Sequence, residues 1–248
     1  MNDLAAMARL VDALRPWLGK LVIVGGWAHR LYRYSGLATV PGYPPILTLD
    51  ADLAFSLHES LEGSIAAALK AASFHEHLSG DHRPPVSHYT LGEETHGFYA
   101  EFLAPLHGSG VRRSGLPDAT VRRAGVTAQK LRYLELLLVA PVVVHLGAEE
   151  GFPLSSPAEV RLANPVGFIA QKLLIQPKRK AAKRAQDVLY VHDTLELFGG
   201  RLDALEEMWR ERIRAALGPS AARTVQRRAR EQFGQVTDVI RNAARIPA

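Results

Sequence analysis

The stretch Thr48-Leu49-Asp50-Ala51-Asp52-Leu53-Ala54-Phe55 sets two carboxylates one residue apart inside an otherwise apolar, strand-like run. Side chains at i and i+2 of a β-strand leave the same face, so Asp50 and Asp52 project side by side. Two like charges at that spacing repel, and burial makes each harder to ionise. A divalent cation resolves the conflict, because Mg²⁺ prefers hard oxygen donors shared with substrate phosphates. An aspartate at the end of an ordinary strand also faces water or caps a helix, so the surroundings decide. Upstream lies Val22-Ile23-Val24-Gly25-Gly26, a β-branched run that ends in a paired-glycine turn. Downstream, Gly97-Phe98-Tyr99-Ala100-Glu101-Phe102-Leu103 carries a third acid inside another short apolar run. Together the three segments point to metal-assisted phosphoryl chemistry.

The bulk properties narrow the class. A chain of 248 residues, 47% of them apolar, can bury one large core or two small ones. Its longest apolar run, residues 134–146, is interrupted by Glu135, Pro141 and His145, so no membrane partner is expected. The start, Met-Asn-Asp-Leu, lacks a basic region leading into an apolar segment, and no signal peptide is expected. The absence of cysteine excludes disulfides, thiolate metal sites and a cysteine nucleophile, and it fits a cytoplasmic protein. A net charge of +5 favours polyanionic partners, and basic residues crowd into residues 172–184 and 223–230. A nucleotide or nucleic acid held between those segments and the acids would meet both. An arginine-rich solvated helix face explains residues 223–230 equally well.

Read along the chain, Asn2 or Asp3 caps a first helix with Leu4, Met7, Leu10, Val11 and Leu14 at helical spacing, closing near Pro16. A strand over 21–24, a helix over 27–34, a Gly/Pro-rich loop over 35–45 and the acid-bearing strand over 46–55 follow. A helix is expected over 60–72, a polar loop over 75–85, and strands over 86–91 and 96–103. His75, His77, His82, His88 and His96 fall in this region, but they lack the closed ligand set of a zinc site. Residues 128–139 read as a helix broken by Pro141, with a strand over 142–146. From Pro165 the pattern turns helical, over 166–175, 179–198, 202–217 and 220–244, interrupted at Pro177. The expected plan is α+β: a mixed sheet with flanking helices over residues 1–160, then a helical domain over 161–248 that completes the nucleotide site.

Gly25-Gly26, Asp50-Ala-Asp52 and Glu101 resemble the DNA polymerase β-like nucleotidyltransferase superfamily, whose members pair such a turn with an Asp-x-Asp strand and a third acid on a neighbouring strand. A narrower resemblance runs through Asn164-Pro165, Phe168, Lys172, Arg179, Lys183 and Asp187. These look like the Lys…Arg…Lys…Asp helices of stand-alone bacterial nucleotidyltransferase-fold proteins, the abortive-infection toxins among them. The resemblance implies an enzyme that moves a nucleoside monophosphate from an NTP to RNA or tRNA, a protein or a small molecule such as an aminoglycoside. It implies Mg²⁺ or Mn²⁺ on Asp50, Asp52 and Glu101, with Glu101 also helping to deprotonate the acceptor. Gly25 and Gly26 would leave backbone free for phosphate, and Lys172, Lys183 and Arg179 would neutralise the triphosphate. Asp187 would orient one of these bases or touch nucleotide; alternatively it is a helix-surface acid paired with Lys183 at i−4. Lys172 has its own alternative, snorkelling out of a buried helix. Arg112 and Arg113 are further candidates for contact with a polyanionic acceptor. An antitoxin protein is a possible partner, and a nucleotide- or RNA-binding module without activity is the competing reading.

Three departures from the pattern matter. Gly26 stands where many relatives carry serine, the gap from Gly26 to Asp50 is long, and the third acid is glutamate where aspartate is common.

Overall fold

The computed structural model describes residues 3–92 and 97–234. Helix α1 (Asp3–Ala13) is followed by strand β1 (Val22–Val24), helix α2 (Gly25–Leu31) and strand β2 (Asp50–Ala54). Then come α3 (Ile65–Ala71), β3 (His75–Ser79), β4 (Val86–Leu91), β5 (Phe98–Pro105), β6 (Thr120–Arg123), β7 (Val126–Leu131), β8 (Val142–Leu146) and β9 (Ala158–Leu162). The chain continues through α4 (Pro165–Ile175), α5 (Ala181–Leu197), α6 (Leu202–Met208) and α7 (Arg214–Phe233). Non-helical backbone at Gly218 divides α7 just before Pro219. The expected N-cap Asn2, His96 and the end of the last expected helix, residues 235–244, lie outside the described residues.

The strands form one mixed sheet in the order β3-β4-β5-β2-β1-β9-β8, with the β6–β7 hairpin attached through β7 to β5. Parallel pairing of β2 with β5 sets Asp50 opposite Tyr99 and Asp52 opposite Glu101. β1 runs antiparallel to β2 and β4 antiparallel to β5. Ala51, Leu53, Ala100 and Phe102 alternate with the acids on these strands and join the apolar core. That core is continuous with Leu10 of α1, Leu14 just beyond it, Trp27 and Leu31 of α2, and Phe168 and Leu173 of α4. An α+β plan of mixed sheet and flanking helices, as expected, is what these elements make.

Several expectations need correction. The segment 75–85 is not all loop, since His75–Ser79 forms β3 against β4. As an edge strand with mostly exposed residues, it has no apolar alternation to betray it. Residues 128–139 are not a helix: 126–131 is strand β7 and 134–138 a short 3₁₀ turn. The deciding feature is a two-residue hairpin loop, Ala124 and Gly125, both with positive φ (45° and 82°), which pairs Arg123 with Val126. Strand β9 was not anticipated, although Ala158-Glu-Val-Arg-Leu alternates with period two. The acid-bearing strand is shorter than 46–55, because pairing begins only at Asp50.

Candidate active site

The acids and the bases line one cleft of about 260 Å³. Strands β2 and β5 supply an acid wall of Asp50, Asp52 and Glu101, α4 and the chain after it supply a basic wall of Lys172, Arg179 and Lys183, and Gly25 and Gly26 lie at the end of β1. Alternation puts Asp50 and Asp52 on one face of β2, and the register brings Glu101 onto the same face of β5. Arg112 and Arg113, on the loop after β5, do not line the cleft.

Both glycines are required by position. Gly25 has φ +63, and a Cβ there would run into the carboxylate of Asp52. A Cβ on Gly26 would lie 2.6 Å from Thr48 Cγ2 and 2.8 Å from the Tyr190 hydroxyl. At the position where many relatives carry serine, a side chain would thus displace Thr48 or Tyr190, and a tyrosine hydroxyl from α5 stands beside it.

The acid wall is under electrostatic load. Burial, then the neighbouring charges of Asp50 and Glu101, push the Asp52 carboxyl up to about 7, against the opposing pull of Lys172 and Arg179. Glu101 is also raised, by burial first; His88 counters this and Asp50 adds to it. His88 Nδ1 stands 3.3 Å from Glu101 Oε1, and the Thr48 hydroxyl donates to Asp50 Oδ1. Among the described residues no three His, Asp or Glu side chains are gathered closely enough to hold a metal ion as placed. The donor set nonetheless fits a hard divalent cation. Two aspartates share one strand face, a glutamate faces them, and their mutual repulsion is the charge such an ion would cancel.

The basic wall is built differently. Asn164 caps α4, accepting from the Val166 and Gly167 amides at 2.9 and 3.3 Å, with Pro165 at the first helical position. Helix α4 then delivers Lys172 from beneath, and its ammonium meets Asp187 Oδ1 at 2.9 Å while Arg179 Nε lies 3.4 Å from Asp187 Oδ2. This corrects both alternatives above. Asp187 is 1% exposed and pairs with Lys172 and Arg179, while Lys183 reaches Gln186 at 3.2 Å instead. Lys172 does not snorkel: it is 7% exposed, with its ammonium 4.9 Å from the Tyr190 ring centre. Burial lowers its pKa, and Asp187 opposes that shift.

Sequence reasoning passed over Thr48, Gln129, Gln171 and Tyr190, all on the cleft wall. A signal existed for Tyr190, three residues beyond Asp187 and therefore on the same helical face. Thr48 carried one too, two residues before Asp50 and so on the same side of an extended run, whereas Gln129 carries none, since only the pairing of β7 with β5 brings it in.

A search of curated proteins finds no match. Among solved structures, the crystal structure of an antigenic nucleotidyltransferase-like protein from Paracoccidioides brasiliensis aligns at 14% identity with a TM-score of 0.49, over 97% of this chain and 93% of that one. A family model described as nucleotidyltransferase matches residues 2–214. That span takes in the glycine turn, all three acids and both basic helices, and the chain belongs to the nucleotidyltransferase family.

Proposed function

We propose that this chain moves a nucleoside monophosphate from an NTP to an acceptor hydroxyl or phosphate. One observation carries the reading: Asp50, Asp52 and Glu101 share a sheet face and line one cleft with Lys172, Arg179 and Lys183. An acceptor oxygen attacks the α-phosphorus, the bond from that phosphorus to the β-phosphate oxygen breaks, and pyrophosphate departs. Where the acceptor is a hydroxyl, its proton passes to Glu101, whose raised pKa suits a general base. Mg²⁺ or Mn²⁺ would be held by Asp50 and Asp52, with Glu101 turning in from His88, and would supply positive charge for the developing oxyanions. Lys172, Arg179 and Lys183 neutralise the triphosphate, and Asp187 fixes the first two in place. The Gly25–Gly26 backbone gives phosphate a close approach.

The test is transfer of label from α-³²P NTPs in the presence of Mg²⁺ or Mn²⁺ to RNA, protein or aminoglycoside. Asp50→Asn and Asp52→Asn should each abolish it; persistent transfer by both variants refutes the assignment. A second reading, nucleotide binding without catalysis, draws on the contact that turns Glu101 toward His88. It predicts NTP affinity with no label transferred to any acceptor. The toxin role and an antitoxin partner rest on the Lys172-to-Asp187 resemblance alone. Growth arrest on expression, relieved by a neighbouring gene product and absent in Asp52→Asn, is their test.

A further inference from the structure

Strands β2, β4 and β5 are buried along nearly their whole length. Only five of their residues open partly to solvent: Asp50, Asp52, His88, Tyr99 and Glu101. Three are the acids of the cleft. The other two are rings, and they lie nearly parallel, 13° apart with centroids separated by 6.1 Å. Register places both on the acid face, because Tyr99 pairs with Asp50 across one ladder and His88 pairs with Glu101 across the other.

We infer that Tyr99 and His88 form a stacking platform for an unpaired nucleobase at the hydroxyl-bearing end of a polynucleotide acceptor. The inference rests on the transferase reading above and adds the class of acceptor. Aromatic faces on an open strand surface bind successive bases with little regard to sequence. His88 is tied to the edge strand through Nε2, 2.8 Å from the Ser79 hydroxyl, and its Nδ1 lies 3.3 Å from Glu101. The platform lies on the β4 side of the acids, whereas the charges of Lys172, on α4, and Arg179, between α4 and α5, act on Asp52 from the helices. A triphosphate on the basic wall and a base on the rings would therefore approach the acids from different sides. The net charge of +5 suits a polyanionic acceptor.

The experiment is equilibrium binding, by fluorescence anisotropy, of a short 5′-labelled single-stranded RNA without NTP or metal. Wild-type protein should bind it, and Tyr99→Ala should weaken binding roughly ten- to a hundredfold. Tyr99→Phe keeps the ring and should stay within about twofold of wild type. A blunt duplex should bind more weakly than the single strand. DNA of the same sequence bound as tightly as RNA assigns the contact to the base; a preference for RNA adds the 2′-hydroxyl. As a measure independent of variant folding, a terminal 5-iodouridine should photocrosslink to Tyr99 or His88 in wild-type protein. Absent binding, equal affinity of wild type and a folded Tyr99→Ala, equal binding of the blunt duplex, or crosslinks confined to other residues would each overturn the platform. Tyr99-dependent binding with no label transfer to any acceptor would sink the enzymatic reading alone. Transfer accompanied by Tyr99-independent binding would sink the platform alone.

Discussion

Asp52 and Asp193 are both largely withdrawn from solvent, and the protein treats them in opposite ways. Asp193, on α5, stands 2.9 Å from His29 Nε2 and accepts from the Tyr43 hydroxyl. Burial pushes its carboxyl up, but the bonds from His29 and Tyr43 outweigh that and hold it below the ordinary value. Asp52 instead faces two further acids, and burial and repulsion together drive it to about 7. The first aspartate is paired within the protein: it ties α2 and the loop carrying Tyr43 to α5. The second is left with unmet charge in a cleft, as a site that awaits a cation would be. Asp187 belongs with Asp193, since Lys172 and Arg179 neutralise it from within the protein.

The largest effect should separate function from stability. Asp52→Asn removes a charge the fold resists, so the metal-free variant should melt no lower than wild type. The same change should cut nucleotidyl transfer by at least about a thousandfold, the scale of losing a principal transition-state contact. A melting temperature well below wild type in scanning calorimetry would place Asp52 with the structural aspartates. Asp187→Ala should do the opposite. It leaves Lys172 buried without its partner and should cost about 3–5 kcal/mol of stability in denaturant titrations. A loss below about 1 kcal/mol would mean that solvent reaches the pair.

The contrast between these aspartates also marks what the sequence disclosed. Asp50, Asp52 and Glu101 were legible because isolated charges in apolar, strand-like runs break a simple pattern; alternation predicts the shared face of the two aspartates, and only the β2–β5 register adds Glu101 to it. Lys172 and Arg179 were legible only through the family resemblance that runs from Asn164-Pro165 to Asp187. Asp193 gave no such signal, because its partners lie 164 and 150 residues away in numbering (193 − 29 and 193 − 43). The same holds for Glu101 and His88, which meet only through the antiparallel pairing of β4 with β5. The strand at His75–Ser79 was hidden for another reason. On a sheet edge both faces are wet, and polarity there imitates a loop.

Stability against pH sharpens the comparison in metal-free protein. The folded state holds a proton on Asp52 up to about 7, whereas the unfolded chain releases it near the ordinary 3.8. Folding therefore binds a proton in that window, and the contribution is full below about pH 4 and lost as pH rises through about 7. The loss should be on the order of 2–4 kcal/mol by calorimetry, and saturating Mg²⁺ should reduce it by taking the proton's place. Asp52→Asn should abolish this dependence. An unchanged profile in that variant would shift the load to Glu101.

His29 supplies the smallest effect, with the reverse sign. Burial lowers its pKa, and the bond to Asp193 only partly restores it, so the folded protein keeps the ring neutral where the unfolded chain takes up a proton near 6.5. Stability from this residue is whole above that value and declines as pH falls beneath it, by about 1.4 kcal/mol per pH unit at most. In wild-type protein the Asp52 and His29 slopes oppose each other just below about pH 6.5, and the net curve should be shallow there. Asp52→Asn removes one of the two, exposing stability that climbs with pH up to about 6.5. A flat curve in that variant would mean that His29 titrates alike in both states, and Asp193 would then carry a charged imidazolium partner rather than a neutral hydrogen bond.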